Sequence, residues 1–552
     1  MGISRRDTFK LGAALAGYAA SSSTAIASGH SSRSLSNCVT TQWQKGFENT
    51  RKADLGDGTY LNPVFSGDRP DPSILKDGDD YYLTYSAIEY YPAMSIWHSK
   101  DMINWQPVGP ALTKVLGTVY APHLTKHNGK YYIYLSIVNH VPPKGWSEYA
   151  YKKPLNVLSF HVIQADNIEG PWSEPVDMEI YGGIDPEHVV DDDGKRYLIW
   201  DRGYCVQLND EGTKAVGKPE KVYHGWEYPN EWPDEGFCLE GPKILKRNGW
   251  YYAFAAQGGT AGPPTAHMVV VSRAKSIMGP WEHAPNNPII RTQHRSEKWW
   301  SRGHATAIEG PNGDWWLVYH GYENGYQTLG RHTLIEPMAW SEDGWPIALG
   351  DDLSRPIKMP VVRKSSQHNM PYSGAFTATD LGMKFSFFKP KKDYMKRVKF
   401  EGGSLTLEGQ GTVPGDSSPL AFNVGDHSYE LTVKVQLEGQ VKGGLVAFYD
   451  EGLYTGVTPS EKEIFHFTLG RPFPEITAKS TLGDSFYIKL LNEHNVVSYF
   501  LSEDGKEWVR HTSYEMSGYH HNMKGGFISL RPAMVAVGTG RVHYSDVKYR
   551  AL

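Results

Sequence analysis

The chain has little that could staple it, anchor it in a bilayer or hold it to nucleic acid. Three cysteines in 552 residues cannot form a disulfide scaffold. Cys205 and Cys238 could pair in an oxidising compartment, which spacing alone does not decide. Cys38 fails as a lipoprotein site, because Asn37 is wrong for that cleavage and the apolar segment lies too far upstream. Charge of neither sign dominates, with 56 Lys and Arg against 61 Asp and Glu for a formal −5. Without a basic stripe to neutralise phosphates, nucleic acid is excluded as a partner. Beyond the first thirty or so residues no apolar run offers a membrane span. No set of residues has metal-ligand spacing, since Asp191-Asp192-Asp193-Gly194 reads as a turn before a strand rather than a calcium loop.

The first 27 residues read as an export signal rather than as part of a fold. Arg5-Arg6 with Phe9 and Lys10 is basic and resembles a twin-arginine signal, Leu11 to Ala20 is small and apolar, and Ala25-Ile26-Ala27 suits signal peptidase. The expectation is a soluble protein exported from a bacterial cell to the periplasm or beyond, with residues 28–55 as an N-terminal extension. Losing three basic residues and one acidic one would leave the mature chain more acidic still.

What the chain does have is aromatic residues, 17 Trp and 34 Tyr among them, and a repeat that arranges them. A polar Gly-containing turn followed by an aromatic strand recurs at Gly78 to Leu83, Gly129 to Tyr134, Gly194 to Ile199, Gly249 to Phe254 and Gly313 to Val318. A second motif, ending in Trp105, Trp172 and Trp281, falls at similar phase where outer strands would lie. Five copies at roughly 50 to 65 residues imply an all-β fold that begins with a five-bladed β-propeller over residues 56–356.

Propellers work through the loops at one end of their channel. Asp71 precedes the first repeat between Pro70 and Pro72, Asp185 precedes the third before Pro186, and Glu240 precedes the fourth in Glu240-Gly241-Pro242. Flanking prolines bias Asp71 towards stiff, extended backbone. Three carboxyls converging on one mouth cannot all ionise freely, so at least one pKa must rise, which acid/base chemistry on a glycosidic bond requires.

These residues carry a resemblance to glycoside hydrolase family 43, the five-bladed β-xylosidases and α-L-arabinofuranosidases. Arg69-Pro70-Asp71-Pro72-Ser73, Tyr120-Ala121-Pro122, Ile184-Asp185-Pro186, Leu239-Glu240-Gly241-Pro242, Gly303-His304 and Leu329-Gly330-Arg331-His332 occur in the family's order. The resemblance implies Asp71 as general base, Glu240 as general acid and Asp185 as the residue that tunes and orients Glu240. It further implies that His304 lies beneath the sugar at the channel centre, that Arg331 bonds sugar hydroxyls and that Tyr120, where the family often has Trp, shapes the sugar pocket. No cofactor is required for this chemistry, although a calcium ion sits near the equivalent His in some relatives.

After about Pro360 alternating runs such as Tyr429 to Val435, Phe486 to Leu490 and Val497 to Leu501 read as an antiparallel two-sheet β-sandwich over residues 357–552. This half resembles the concanavalin-like jelly roll attached to many family members. Tyr449 to Tyr454 reads as an ordinary hairpin loop, with a reach over the pocket as the alternative suggested by analogy. The absence of a long Ser/Gly/Pro linker favours a docked domain. The expected function is an exo-acting, inverting glycosidase that releases terminal pentose, β-D-xylose first, from plant or algal oligosaccharides. The alternatives are an α-L-arabinofuranosidase on the same fold and a non-catalytic carbohydrate-binding propeller.

Overall fold

A computed structural model describes residues 42–139, 157–363 and 366–552. The expected signal segment and Cys38 lie outside the described residues. From Trp43 onward the chain forms one compact unit.

Five antiparallel blades follow one another in chain order, four of them four-stranded and the fourth blade with a short fifth strand. Their first strands, which line the channel, are Ser73–Asp77, Thr118–His127, Glu187–Val190, Glu240–Arg247 and Trp299–Glu309. Each first strand turns into the second through the repeated glycine, and Gly78, Gly129, Gly194, Gly249 and Gly313 all have φ between +63° and +81°. That left-handed turn is why glycine recurs with the period of the blade. The aromatic residues that follow fill the layers between blades. Tyr81, Leu83 and Trp97 of the first blade pack with Trp316, Val318 and Ile335 of the fifth, and Tyr132 and Tyr134 of the second with Leu198 and Trp200 of the third.

The ring is closed by chain that precedes the first blade. Thr59–Tyr60 pairs with Ile357–Lys358, Phe65 bridges Thr333, and the Arg69 N–H donates to the Arg331 carbonyl at 2.8 Å. This register sets Asp71, two residues on, beside the last blade.

The C-terminal half is built on two strands of 23 and 21 residues, Ser428–Asp450 and Arg531–Ala551, paired along almost their whole length. Where they cross from one layer of the sandwich to the other, Gly439 faces Gly540, at φ +88° and +139°. On one side of that corner the pair continues into Ser485–Glu493 and Val496–Ser502, on the other into Leu453–Pro459 and Glu463–Thr468. Leu431, Val433, Ile488 and Tyr499 of the first layer and Leu445, Val457 and Phe422 of the second enclose one apolar core. Tyr449 to Tyr454 is the hairpin between two of these strands, as its sequence suggests.

Sandwich and propeller share a sheet. Tyr90–Tyr91, from the first blade, pairs with Phe387 and Phe388 of the sandwich, and the buried Tyr90 ring lies 3.7 Å from the Arg531 guanidinium. Glu323 of the fifth blade, 2% exposed, accepts from Arg51 at 2.7 Å and lies 2.9 Å from His427 Nε2 of the sandwich. Phe388 sits in this seam, 5.4 Å from Tyr90 and 5.0 Å from Phe448 by ring centroid. Phe388→Ala is expected to destabilise the protein by about 3 kcal/mol or more, with a single calorimetric transition. Two separated transitions in the unaltered chain would contradict the shared seam.

Candidate active site

A cavity of about 360 Å³ opens where the first strands begin, and its lining includes all six residues singled out from sequence: Asp71, Tyr120, Asp185, Glu240, His304 and Arg331. Ile184, Val138, Leu158, Thr260 and Phe527 complete it. Residues from the first blade to the sandwich, as far apart in sequence as Asp71 and Phe527, meet here.

The local backbone departs from what the prolines suggest. Asp71 and Asp185, each followed by proline, have φ of +54° and +58°, and Gly241 before Pro242 has +57°. The extended bias expected at Asp71 is overridden by its partners: its N–H bonds His320 Nδ1 at 3.0 Å and its carboxylate accepts from Ser86 and Arg331. His304 is left-handed too, at φ +62°. Such conformations cost roughly 1–3 kcal/mol each where the side chain does not suit them and cluster where geometry serves function. Only glycine fits at 241, since a Cβ there would stand 2.2 Å from the His304 ring.

Asp71 is buried, which alone would raise its pKa. The Arg331 guanidinium at 2.9 Å outweighs burial and holds the carboxyl well below its ordinary range. Ser86 Oγ donates to its other oxygen at 2.5 Å. Asp71 is therefore ionised and aimed.

Glu240 is the opposite case. Burial and the Asp71 charge push its pKa up to about 8 despite Arg331, while 22% of its side chain stays open to the cavity. Asp185, driven well above its usual range by burial and by Glu240 and Asp71, accepts the Gly241 N–H at 2.9 Å and lies 3.4 Å from His304 Nε2. Its contact with the residue next to Glu240 fixes the turn that presents the acid. With both carboxyls raised, the pair holds at least one proton at neutral pH.

Several parts of the site had no sequence signal. His320 and His267 stack at 5.2 Å, and burial pushes them down to about 3 and 4, so both are neutral at pH 7. His267 Nε2 stands 3.6 Å from Glu240 Oε1. His320 is a lone histidine in a strand and His267 one just before a strand, and neither is distinguishable in sequence from a core residue. Phe527 comes from the sandwich on a turn with φ +55°, its ring 3.9 Å from that of His521 and 5.5 Å from the Arg331 guanidinium. The segment around Gly525, tied to the Tyr449 hydroxyl, is thus what reaches over the pocket. Cys205 and Cys238 are both free.

Among the described residues no group of three or more His, Cys, Asp or Glu is placed to hold a metal ion. The ammonium of buried Lys243, 3.2 Å from Glu187 Oε2, acts electrostatically on both His304 and Asp185.

An ionised carboxylate and a protonated one, facing one small pocket on a five-bladed propeller, define a glycoside hydrolase site. The family model for glycosyl hydrolases family 43 matches residues 60–346, more than half of the chain, and the chain belongs to that family. A xylan 1,3-β-xylosidase from a Vibrio species is 29% identical over 505 residues, covering 82% of this chain and 90% of the relative. A non-reducing end α-L-arabinofuranosidase from Bacteroides ovatus is 31% identical over 376 residues, covering 64% and 66%. The crystal structure of a family 43 protein from Bacillus licheniformis aligns with a TM-score of 0.76 at 25% identity, covering 90% of this chain and all of that one.

The two pKa directions set the pH profile. With Glu240 as acid and Asp71 as base, kcat/KM should fall as pH rises through about 8 and persist on the acid side to below the usual carboxylate range. Stability follows the same sign. A carboxyl whose folded pKa lies above its unfolded value loses stability as pH rises between the two, so Glu240→Gln should gain melting temperature over wild type between pH 5 and 8. A basic limb unchanged in Glu240→Gln would contradict the assignment.

Proposed function

We propose that the protein is an exo-acting, inverting glycosidase that removes a terminal pentose, β-D-xylose, from plant or algal oligosaccharides. The observation that carries this reading is the opposed protonation of Asp71 and Glu240 in one pocket. Asp71 accepts a proton from water as the water attacks the anomeric carbon. Glu240 gives its proton to the glycosidic oxygen as that bond breaks. Asp185 keeps Glu240 protonated and aimed through the Gly241 turn, and Arg331, His304 and Tyr120 meet the hydroxyls of the sugar. Phe527, brought in by the sandwich, narrows the pocket towards a single terminal sugar.

Xylose is favoured because the relative named as a xylosidase matches across both halves of the chain. Release of α-L-arabinofuranose is the second reading, supported by the other relative's name and by an acid/base arrangement that serves either sugar. Export rests on Arg5-Arg6 and the apolar run after it; N-terminal sequencing of exported protein should begin at Ser28.

Proton NMR of the first product from alkyl β-xyloside and alkyl α-L-arabinofuranoside tests the reading. Inverted xylose from wild type, with activity at least about a hundredfold lower in Glu240→Ala, is the expected result. Retained anomer contradicts inversion. Cleavage of the arabinofuranoside alone selects the second reading, and binding of xylo-oligosaccharides without cleavage of either compound selects a binding protein.

A further inference from the structure

Protonation of the glycosidic oxygen by Glu240 fixes where the rest of the substrate must go. The leaving chain has to pass the wall that carries the acid, and that wall begins in the loop just before it. Residues 225–239 run Gly-Trp-Glu-Tyr-Pro-Asn-Glu-Trp-Pro-Asp-Glu-Gly-Phe-Cys-Leu, with four aromatic side chains in fifteen residues and neither Lys nor Arg.

The four rings form one cluster. Tyr228 stacks on Phe237 at 5.8 Å and 11° and on Trp232 at 6.4 Å and 17°, while Trp226 packs at 6.3 Å from Tyr228 and 6.1 Å from Trp232. Trp226, Tyr228 and Trp232 lean on the apolar layer of Tyr223 and Leu239, whereas Phe237 remains 47% exposed.

The loop is rigid and tied to the pocket. Glu235 N–H donates to the Gly258 carbonyl at 2.8 Å, Gly258 N–H to the Phe237 carbonyl at 3.2 Å, and the Ala261 N–H to the Glu235 carboxylate at 2.8 Å. Thr260, between these anchors, lines the catalytic cavity. Gln257 clamps the Trp226 backbone by hydrogen bonds of 2.8 and 3.1 Å, and the Tyr228 hydroxyl donates to Asp234 at 2.6 Å. A fixed aromatic face offers a sugar's C–H face a stacking surface at little entropic cost, and the rim carboxylates of Glu231 and Asp234 can accept from its hydroxyls. Those same carboxylates repel acidic sugars.

We propose that this loop is the platform for the leaving group, on which neutral sugar units beyond the scissile bond stack against Phe237 and Tyr228. The inference rests on the glycosidase reading of the pocket. It adds a binding site outside the six residues already described, and it assigns a substrate class, neutral oligosaccharides rather than uronate-rich ones.

The test compares two substrates for wild type, Phe237→Ala and Tyr228→Ala: β-D-xylosyl fluoride, which has no leaving sugar, and a neutral xylotetraose. The platform predicts a fall of about tenfold in kcat/KM for the tetrasaccharide, with the fluoride within about twofold of wild type. Equal losses on both substrates, or no loss on either, would overturn it. Calorimetric binding of xylotetraose to Glu240→Gln, with and without Phe237→Ala, reads the platform without turnover. If wild type cleaves neither compound, the pocket reading fails, and the platform then stands only if Phe237→Ala weakens that binding about tenfold. Unchanged binding overturns it.

Discussion

The ion pair between Arg331 and Asp71 joins the last blade of the propeller to the first, and the rest of the site depends on it. The two residues lie 260 positions apart and meet only because the chain before the first blade hydrogen-bonds along the fifth. Asp68 braces the junction from both sides. It accepts the Arg331 N–H at 3.2 Å and the Arg531 guanidinium of the sandwich at 3.1 Å, with Gly330 so close that a Cβ would stand 2.3 Å from its oxygen. Removing one partner from such a buried pair costs roughly 3–5 kcal/mol, because it strands the other charge. Ring closure, sandwich docking and the state of Asp71 are thus parts of one construction.

From that pair the division of labour among the carboxyls follows. The site has one strong cation, Arg331, and it bonds Asp71 directly. Asp185 and Glu240 are left to burial and to the negative charge of Asp71, and both keep protons more readily than free carboxyls. Neutral His267 and His320 pack beside them without supplying charge. A pocket that holds one carboxyl ionised and another protonated a short distance away needs no other device for acid/base chemistry.

The parts of this arrangement that were legible in sequence were those that repeat. The glycine turns recur because each blade makes the same left-handed turn, and Asp71, Asp185 and Glu240 stood out because they occupy one phase of that repeat. What does not repeat was not visible. His320 is one histidine in a strand, and Phe527 enters from another domain through a turn whose only marks are Gly525 and Gly526. The proline rule failed at Asp71 for a physical reason: three tertiary hydrogen bonds outweigh a local backbone preference. The strand Tyr90–Tyr91 could not be assigned to the sandwich from sequence, because its partners lie nearly 300 residues downstream.

The most direct test of the account is the titration of Glu240 itself. Difference infrared or carbon-13 NMR spectra of wild type and Glu240→Gln isolate its carboxyl. The account predicts a protonated carboxyl at neutral pH that titrates near 8 and is absent from the variant. A carboxyl that titrates near the ordinary glutamate value of about 4.3 would contradict it.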